Sequence, residues 1–281
     1  MDPLVFAAVL FAAACHAGWN AVVKKGLDPL ATTVLMSIGA TLIAIPLVWF
    51  TGLPAPAAWP WLVASVLIHL FYFAALIESY RGGDMGEVYP IARGAAPLLT
   101  ASGSLLLISE SIGVQAWIGI VLLAGGVVLM SLRGGRDLAR LDRRAVGFAL
   151  FTAVTICAYS LVDGIGARLA GSAPAYSVAL FVGIGPVMLA YALAQRGAGV
   201  ITMMRPYWGT GLAGGALQFG SYGIAIWAMT VAPIAIVAAL RETSVLFGAL
   251  IAVVVLREPL KPVRVVAALA IVTGLVLIRL S

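Results

Sequence analysis

The chain has 281 residues, of which 63% are hydrophobic and 10% are charged, and its mean hydropathy is +1.10. This balance lies far from that of soluble proteins, so it indicates a multi-pass membrane protein with an all-α fold and leaves no room for a separate soluble domain. The formal net charge of +6 comes from cations at helix ends and in short loops, which favours topology signals over a nucleic-acid surface.

Ten apolar segments follow one another, each near the ~20 residues that a ~30 Å hydrocarbon core requires. Gly and Pro residues lie between most of them. The first segment has no basic region before it, so we interpret it as a retained span rather than a cleaved signal. The predicted spans are 3–23, 30–50, 59–80, 85–107, 112–132, 145–167, 174–195, 207–229, 233–256 and 260–280.

The two halves of the chain repeat each other. A shift of 148 residues places Arg241 on Arg93 and Glu258 on Glu110. A basic loop at 133–144 separates the predicted five-helix repeats, 1–132 and 145–281. Because five is odd, the second repeat must enter the membrane in the opposite orientation, which predicts two inverted five-helix repeats, an architecture common in transporters.

The positive charges predict the orientation, since Lys and Arg are enriched in cytoplasmic loops. Two arginines, Arg168 and Arg279, lie near the termini side of the predicted bundle. Thirteen cations lie after the odd-numbered spans, and they are Lys24, Lys25, Arg81, Arg133, Arg136, Arg140, Arg143, Arg144, Arg196, Arg205, Arg257, Lys261 and Arg264. This bias predicts both termini on the non-cytoplasmic side.

Arg93 and Arg241 are the cations expected deepest in the membrane. Each lies eight residues into its span, or about 12 Å deep at 1.5 Å per residue. Ionisable groups at this depth are costly and mark functional sites, so the pair predicts a binding site for a carboxylate or another anion. The alternative is that both arginines are structural. Since Gly94 stands where the second repeat has Glu242, we expect Arg93 to be the more substrate-sensitive and Arg241 the more structural.

Few acids lie at membrane depth. Glu78, Asp163 and Glu242 are candidates for a group that couples transport to an ion, although a paired or solvated role is the competing interpretation for the first two. Glu110 and Glu258 precede spans five and ten, where a carboxylate favours a helix N-terminus, so we interpret both as structural.

Aromatic and amide side chains recur on the first and third spans of each half, which predicts a shared substrate site with apolar walls. A competing assignment, the interfacial aromatic belt, fits the tryptophans at span ends better. Single histidines on apolar helices are also compatible with satisfied core positions. The predicted substrate-binding residues are Trp19, Asn20, His69, Tyr72, Arg93, Tyr159, Gln218, Tyr222, Trp227 and Arg241.

The sequence gives no sign of catalysis or of a bound cofactor. It has no G-x-S-x-G, H-E-x-x-H or Walker A motif, which argues against an intramembrane hydrolase and an ATP-driven pump. Two isolated histidines and two isolated cysteines, Cys15 and Cys157, do not predict a metal site or a disulfide.

The segment Leu256-Arg257-Glu258-Pro259-Leu260, the following Gly274-Leu275-Val276-Leu277 and the early Gly18-Trp19-Asn20 resemble the EamA-type branch of the drug/metabolite transporter superfamily. The resemblance covers nearly the whole chain and implies a ten-helix secondary carrier. Two features depart from related proteins, because span one carries no acid and the charge bias puts the termini outside the cytoplasm.

Three functional hypotheses remain from the sequence. The leading one is a secondary exporter of a small metabolite such as an amino acid, aromatic amino acids included. It would work by alternating access through a central cavity in the inner membrane. The second is a carrier of a quaternary amine or lipophilic cation held by aromatic faces. The third is a structural membrane protein that does not transport. Proton coupling and the choice between a monomer and a homodimer stay open.

Overall fold

The computed structural model describes residues 1–23, 28–82, 85–131, 143–254, 257 and 262–281. These residues form helices and contain no strand, which confirms the all-α class. Short 3₁₀ turns at Pro56–Ala58 and Arg205–Tyr207 precede two of the helices. The α-helices are α1 (Pro3–Val23), α2 (Pro29–Thr51), α3 (Trp59–Gly82), α4 (Met85–Ile108), α5 (Val114–Ser131), α6 (Arg143–Leu169), α7 (Ala173–Arg196), α8 (Gly199–Met204), α9 (Trp208–Val231), α10 (Ile234–Arg241), α11 (Ser244–Val254) and α12 (Pro262–Leu280).

Seven helical segments of the described chain are long and apolar enough to cross a membrane. They correspond to the second, third, fourth, sixth, seventh, ninth and tenth predicted spans. The apolar helices at Pro3–Gly18 and Val114–Met130 are shorter, and α9 carries several glycines that lower its hydropathy. The protein is therefore a multi-pass membrane protein, and the count of ten spans stays a prediction.

The second helix of each half begins and ends in the same way. Asp28 caps α2 by accepting from the amide of Leu30 at 3.0 Å, and Ser172 caps α7 by accepting from Ala175 at 3.3 Å. Each helix ends at a glycine in the left-handed region, Gly52 with φ 70° and Gly197 with φ 66°. The same start and stop signals therefore operate at equivalent positions of the two halves.

Helices α5 and α12 pack through small residues. A Cβ built on Gly119 would lie 2.7 Å from the carbonyl oxygen of Gly274, and one built on Gly126 would lie 2.9 Å from that of Ala267. Because the contacts run in opposite directions along the two helices, α5 and α12 are antiparallel. Gly119 and Ala267 are related by the 148-residue shift, as are Gly126 and Gly274. This exchange is the pattern expected at a two-fold axis in the membrane plane, and the inverted repeat of the whole chain stays a prediction.

Three contacts join loops and helix ends that are far apart in the sequence. The amide of Ala55, after α2, donates to the carbonyl of Ala170, after α6, at 3.1 Å. Arg279 near the C-terminus donates to the carbonyl of Met1 at 2.8 Å, so the two termini lie together. Arg196 and Asp28 form an ion pair of 2.6 Å that joins the start of α2 to the end of α7.

The ninth span is not one continuous helix, contrary to the sequence prediction of a helix over 233–256. It divides into α10 and α11 at Glu242 and Thr243. The amide of Thr243 bonds to the carbonyl of Leu240 at 3.1 Å, a tighter i to i−3 pattern than that of an α-helix. The equivalent helix α4 is continuous. The break therefore distinguishes the second half from the first, and it occurs directly after Arg241.

Candidate functional site

An ion pair is buried where α4 meets the break between α10 and α11. Nε of Arg93 lies 2.7 Å from Oε2 of Glu242, and the two side chains are 1% and 4% exposed. Glu242 follows Arg241 with helical backbone angles, φ −69° and ψ −14°, so its side chain points about 100° away from that of Arg241 and meets α4. Glu242 thus neutralises Arg93, whereas adjacency in the sequence made it the local anion of Arg241.

Arg93 also connects α1 and α11. Its Nη2 donates to Oγ of Ser244 at 3.2 Å and lies 3.2 Å from Nε2 of His16. Because a guanidinium can only donate, Nε2 of His16 is the acceptor. His16 is therefore a half-buried histidine with a hydrogen-bond partner, in agreement with one interpretation of the sequence. The guanidinium of Arg93 therefore connects α4 to α1, to α11 and to the break.

Arg241 has a different environment. Its side chain is buried, with the residue 8% exposed, and its guanidinium carbon lies 4.6 Å from the centre of the Tyr222 ring. The hydroxyl of Tyr159 lies beside the same guanidinium. Within the part of the chain that the structure describes, Arg241 forms no ion pair. Its nearest partners are therefore an aromatic face and a phenol oxygen, and the carboxylate of Glu242 attracts it from beyond ion-pair distance.

Four predicted residues form one aromatic cluster beside Arg241. His69 stacks on Tyr159 with ring centres 4.4 Å apart, and Tyr72 packs edge-on against Tyr159 at 5.5 Å. Tyr159 and Tyr222 are perpendicular at 5.7 Å. His69 is held in orientation because its Nδ1 donates to the carbonyl of Ser65 at 2.9 Å. The cluster draws on α3, α6 and α9, and so it includes both halves of the chain.

Asp163 lies on the far side of the same cluster. It is 0% exposed and accepts hydrogen bonds from the hydroxyls of Tyr176, at 2.9 Å, and Tyr222. Its position six residues before the end of α6 suggested a group near the surface, but α7 and α9 cover it. Tyr176 was not among the predicted site residues, because nothing in the sequence pattern of α7 shows which face of that helix meets α6.

The remaining predicted residues lie apart from these contacts or outside the described side chains. Gln218 lies one turn before Tyr222 on α9, and its Oε1 is buried. Trp227 is half-buried against the core, and Glu78 is half-buried near the end of α3. The side chains of Trp19 and Asn20 lie outside the described part of the structure, as do Glu258 and most of the 133–144 loop.

Glu110 has a structural role, as interpreted from the sequence, but it serves the N-terminus of α10 rather than that of the helix that follows it. Its Oε1 pairs with Nη2 of Arg168 at 2.8 Å, and its Oε2 accepts from the amide of Ile234 at 2.8 Å. Ser109 has φ 54°, so the chain turns sharply after α4 and Glu110 meets the N-terminus of α10. Arg168 also donates to the carbonyls of Met229 and Ala232, and the sequence analysis had treated it only as a topology signal.

The described residues offer no metal site and no disulfide. No group of three His, Cys, Asp or Glu residues in the described chain is placed to hold a metal ion. Cys15 and Cys157 are both free thiols. The chemistry available at the cluster is therefore that of hydrogen bonds, charge and aromatic faces.

Comparisons with known proteins agree with this architecture. The sequence profile of the EamA-like transporter family matches residues 4–132, a stretch that ends with the last residue of the predicted first repeat. A protein of known crystal structure is 17% identical in sequence and has a TM-score of 0.73, with 99% of this chain and 96% of that chain covered. At this identity the likeness establishes the fold alone. No protein in the curated collection matches the sequence.

Proposed function

We propose that this chain is a secondary exporter of a small zwitterionic or anionic metabolite such as an amino acid. The proposal draws on the match of residues 4–132 to the EamA-like transporter family, whose members move small solutes across membranes. Arg241 would bind the carboxylate, and Tyr72, Tyr159 and Tyr222 would form the apolar wall. In this proposal the substrate site lies at the buried cluster between the two halves, and the carrier works by alternating access.

The observation that carries the proposal is the unequal surroundings of the two buried arginines. Arg93 has a carboxylate at 2.7 Å, whereas Arg241 faces an aromatic ring at 4.6 Å and has no carboxylate partner among the described residues. A charge buried without a counter-ion is costly at membrane depth. A substrate carboxylate would supply that counter-ion through charge-assisted hydrogen bonds.

The same geometry weighs against a quaternary amine or lipophilic cation. An aromatic cage binds such a ligand by presenting ring faces to its positive charge. Here the Tyr222 face is occupied by the guanidinium of Arg241, which would also repel a cationic ligand. The cluster is better matched to an anion, with the rings contacting an apolar or aromatic side chain of the substrate.

Access to this cluster requires movement of helices. Tyr159 is 3% exposed, Tyr222 7% and Arg241 8%, so bulk water does not reach the proposed site in this conformation. In this proposal the break between α10 and α11 is the hinge, because its i to i−3 bonds interrupt the regular helix directly after Arg241. Movement there would change the exposure of both buried arginines, as alternating access demands.

The proposal is tested with purified protein in liposomes. We expect vesicles preloaded with unlabelled L-phenylalanine to exchange it for labelled L-phenylalanine from outside, while protein-free vesicles do not. A panel of other amino acids and choline would define the substrate class. Exchange of choline without exchange of any amino acid would favour the cation carrier, and no exchange across the panel would favour the non-transporting protein.

The direction of transport is tested in cells. Cells producing the protein should tolerate a toxic phenylalanine analogue better than cells lacking it.

The predicted orientation of the chain in the membrane can be tested by labelling introduced thiols. In a chain whose Cys15 and Cys157 are replaced by alanine, a thiol introduced by Ser111→Cys or Ser281→Cys should react with a membrane-impermeant maleimide added to intact cells. The thiol from Ala139→Cys in the central loop should react only after permeabilisation, because the cationic loops stay in the cytoplasm. Labelling of the 139 site in intact cells would reverse the predicted orientation.

A further inference from the structure

The Asp163 carboxyl is a buried acid with no cation beside it. Among the residues that the structure describes, no Lys or Arg lies within ion-pair distance of Asp163, which is 0% exposed. Its hydrogen-bond partners are the hydroxyls of Tyr176 on α7 and Tyr222 on α9. Burial at membrane depth without a cation makes a carboxylate costly, whereas donated hydroxyl hydrogen bonds offset part of that cost. These surroundings are typical of a group that gains and loses a proton during a transport cycle.

The groups that face Asp163 come from three helices. From α3, the Ser65 hydroxyl and the His69 ring approach it, and Tyr176 and Tyr222 approach from α7 and α9. On its own helix, Tyr159 lies one turn earlier and stacks on His69. The only titratable groups in this first layer are therefore His69 and the tyrosines, as far as the structure describes the chain.

Tyr222 connects the acid to the proposed substrate site. Its hydroxyl donates to Oδ2 of Asp163, while its ring face lies 4.6 Å from the guanidinium carbon of Arg241. Tyr176 contacts the same acid through Oδ1 but has no contact with Arg241. One of the two tyrosines is therefore shared between the acid and Arg241, and the other is not.

We propose that Asp163 is the proton-coupling acid of this carrier, and that Tyr222 transmits its state to the substrate site at Arg241. This inference rests on the proposed transport function and adds to it the coupling ion and the residues that couple.

The proton balance is simple. When the cluster opens to one side of the membrane, the Asp163 carboxylate takes one proton from the water there and becomes a neutral carboxylic acid. The neutral acid has one donating O–H and one fully accepting oxygen, so it no longer accepts equally from both tyrosines. We place the proton on Oδ2, where the bond from the Tyr222 hydroxyl is then weakened or reversed and Tyr222 is free to shift. A shift of the Tyr222 ring changes its contact with the Arg241 guanidinium. The affinity of Arg241 for a substrate carboxylate then changes as well. When the cluster opens to the other side, the proton returns to water, so proton and substrate exchange across the membrane.

The test separates exchange from coupled accumulation. Liposomes containing wild-type protein are prepared with the interior one pH unit more acidic than the outside, and accumulation of labelled L-phenylalanine is measured. One proton exchanged per substrate would support up to about tenfold accumulation, since one pH unit corresponds to a tenfold ratio. We expect clear accumulation by the wild type, and accumulation close to the equilibrium ratio of one by Asp163→Asn, which still exchanges L-phenylalanine without a gradient.

The tyrosines supply a matched pair of variants. Tyr222→Phe keeps the ring beneath Arg241 but removes the hydroxyl that meets Asp163, so it should lose accumulation more than exchange. Tyr176→Phe removes the other hydroxyl and leaves the contact with Arg241 intact, so its accumulation should stay much closer to that of the wild type. Equal losses in the two variants would show that Asp163 only requires hydrogen bonds, and the role of Tyr222 would be rejected.

Each remaining outcome is decisive. No exchange by the wild type would contradict the proposed function itself. Exchange by the wild type without accumulation in the gradient, or full accumulation by Asp163→Asn, would overturn the coupling role of Asp163 while leaving the transport function in place. If Asp163→Asn folds, as judged by its elution from a sizing column, yet loses exchange as well, Asp163 is part of the transport path and not a separate coupling group.

Discussion

Replacing Arg93 with glutamine is expected to destabilise the protein severely. The change removes the partner of Glu242, whose side chain is 4% exposed and lies 2.7 Å from Nε of Arg93. Breaking a buried ion pair by removing one member costs about 3–5 kcal/mol, because the other charge remains buried without compensation. Yield and the midpoint of thermal unfolding in detergent should both fall clearly relative to the wild type.

The double variant Arg93→Gln/Glu242→Gln is the matched control. It removes both charges together and leaves two amides that can bond to each other, so most of the lost stability should return. If the double variant is no more stable than Arg93→Gln, the instability comes from the lost contacts to His16 and Ser244 rather than from the unpaired buried charge of Glu242. Wild-type stability of the single variant would contradict the structural role of this ion pair.

Replacing Arg241 with glutamine should instead weaken transport more than stability. Arg241 has no carboxylate partner in the described chain, so its removal leaves no buried acid without its ion pair. A substrate carboxylate would lose a charge-assisted hydrogen bond worth about 1.5–3 kcal/mol. At 1.4 kcal/mol per decade, the concentration of L-phenylalanine giving half-maximal exchange should rise about 10- to 100-fold.

Arg241→Lys separates charge from shape. Lysine keeps the positive charge but lacks the planar guanidinium that covers the Tyr222 ring and binds a carboxylate in two places, so its affinity should fall between those of the wild type and Arg241→Gln. If a well-folded Arg241→Gln carrier reaches half-maximal exchange at the same L-phenylalanine concentration as the wild type, Arg241 does not bind the substrate carboxylate. The aromatic site for a cation would then be the favoured hypothesis. A loss of folding equal to that of Arg93→Gln would make both arginines structural.

These results would also settle which arginine serves the substrate. The sequence favoured Arg93, because only the second repeat has an acid beside its arginine, with Glu242 facing Gly94 in the alignment of the halves. In the structure Glu242 pairs with Arg93 across the two halves. An alignment of repeats shows which residues are equivalent, but it does not show that a side chain from one repeat reaches the arginine of the other.

The sequence by itself determined the membrane class, the all-α fold and the division into apolar segments. Those features depend on composition and on the length of apolar runs, and both can be read from the sequence without knowledge of tertiary contacts. It also identified Arg93, Arg241, Tyr159 and Tyr222 as residues of interest, since polar and aromatic groups at membrane depth stand out against an apolar background.

Only the tertiary structure decided the partners of those residues. Hydrophobicity in a uniformly apolar helix does not indicate its rotation about its own axis, so the sequence did not show that Asp163 faces Tyr176 and Tyr222. The packing of α4 against α10 brings Glu242 to Arg93, and the turn at Ser109 lets Glu110 reach Arg168. Each outcome depends on close helix packing and on a few irregular backbone angles, which are set by contacts between distant segments rather than by local sequence.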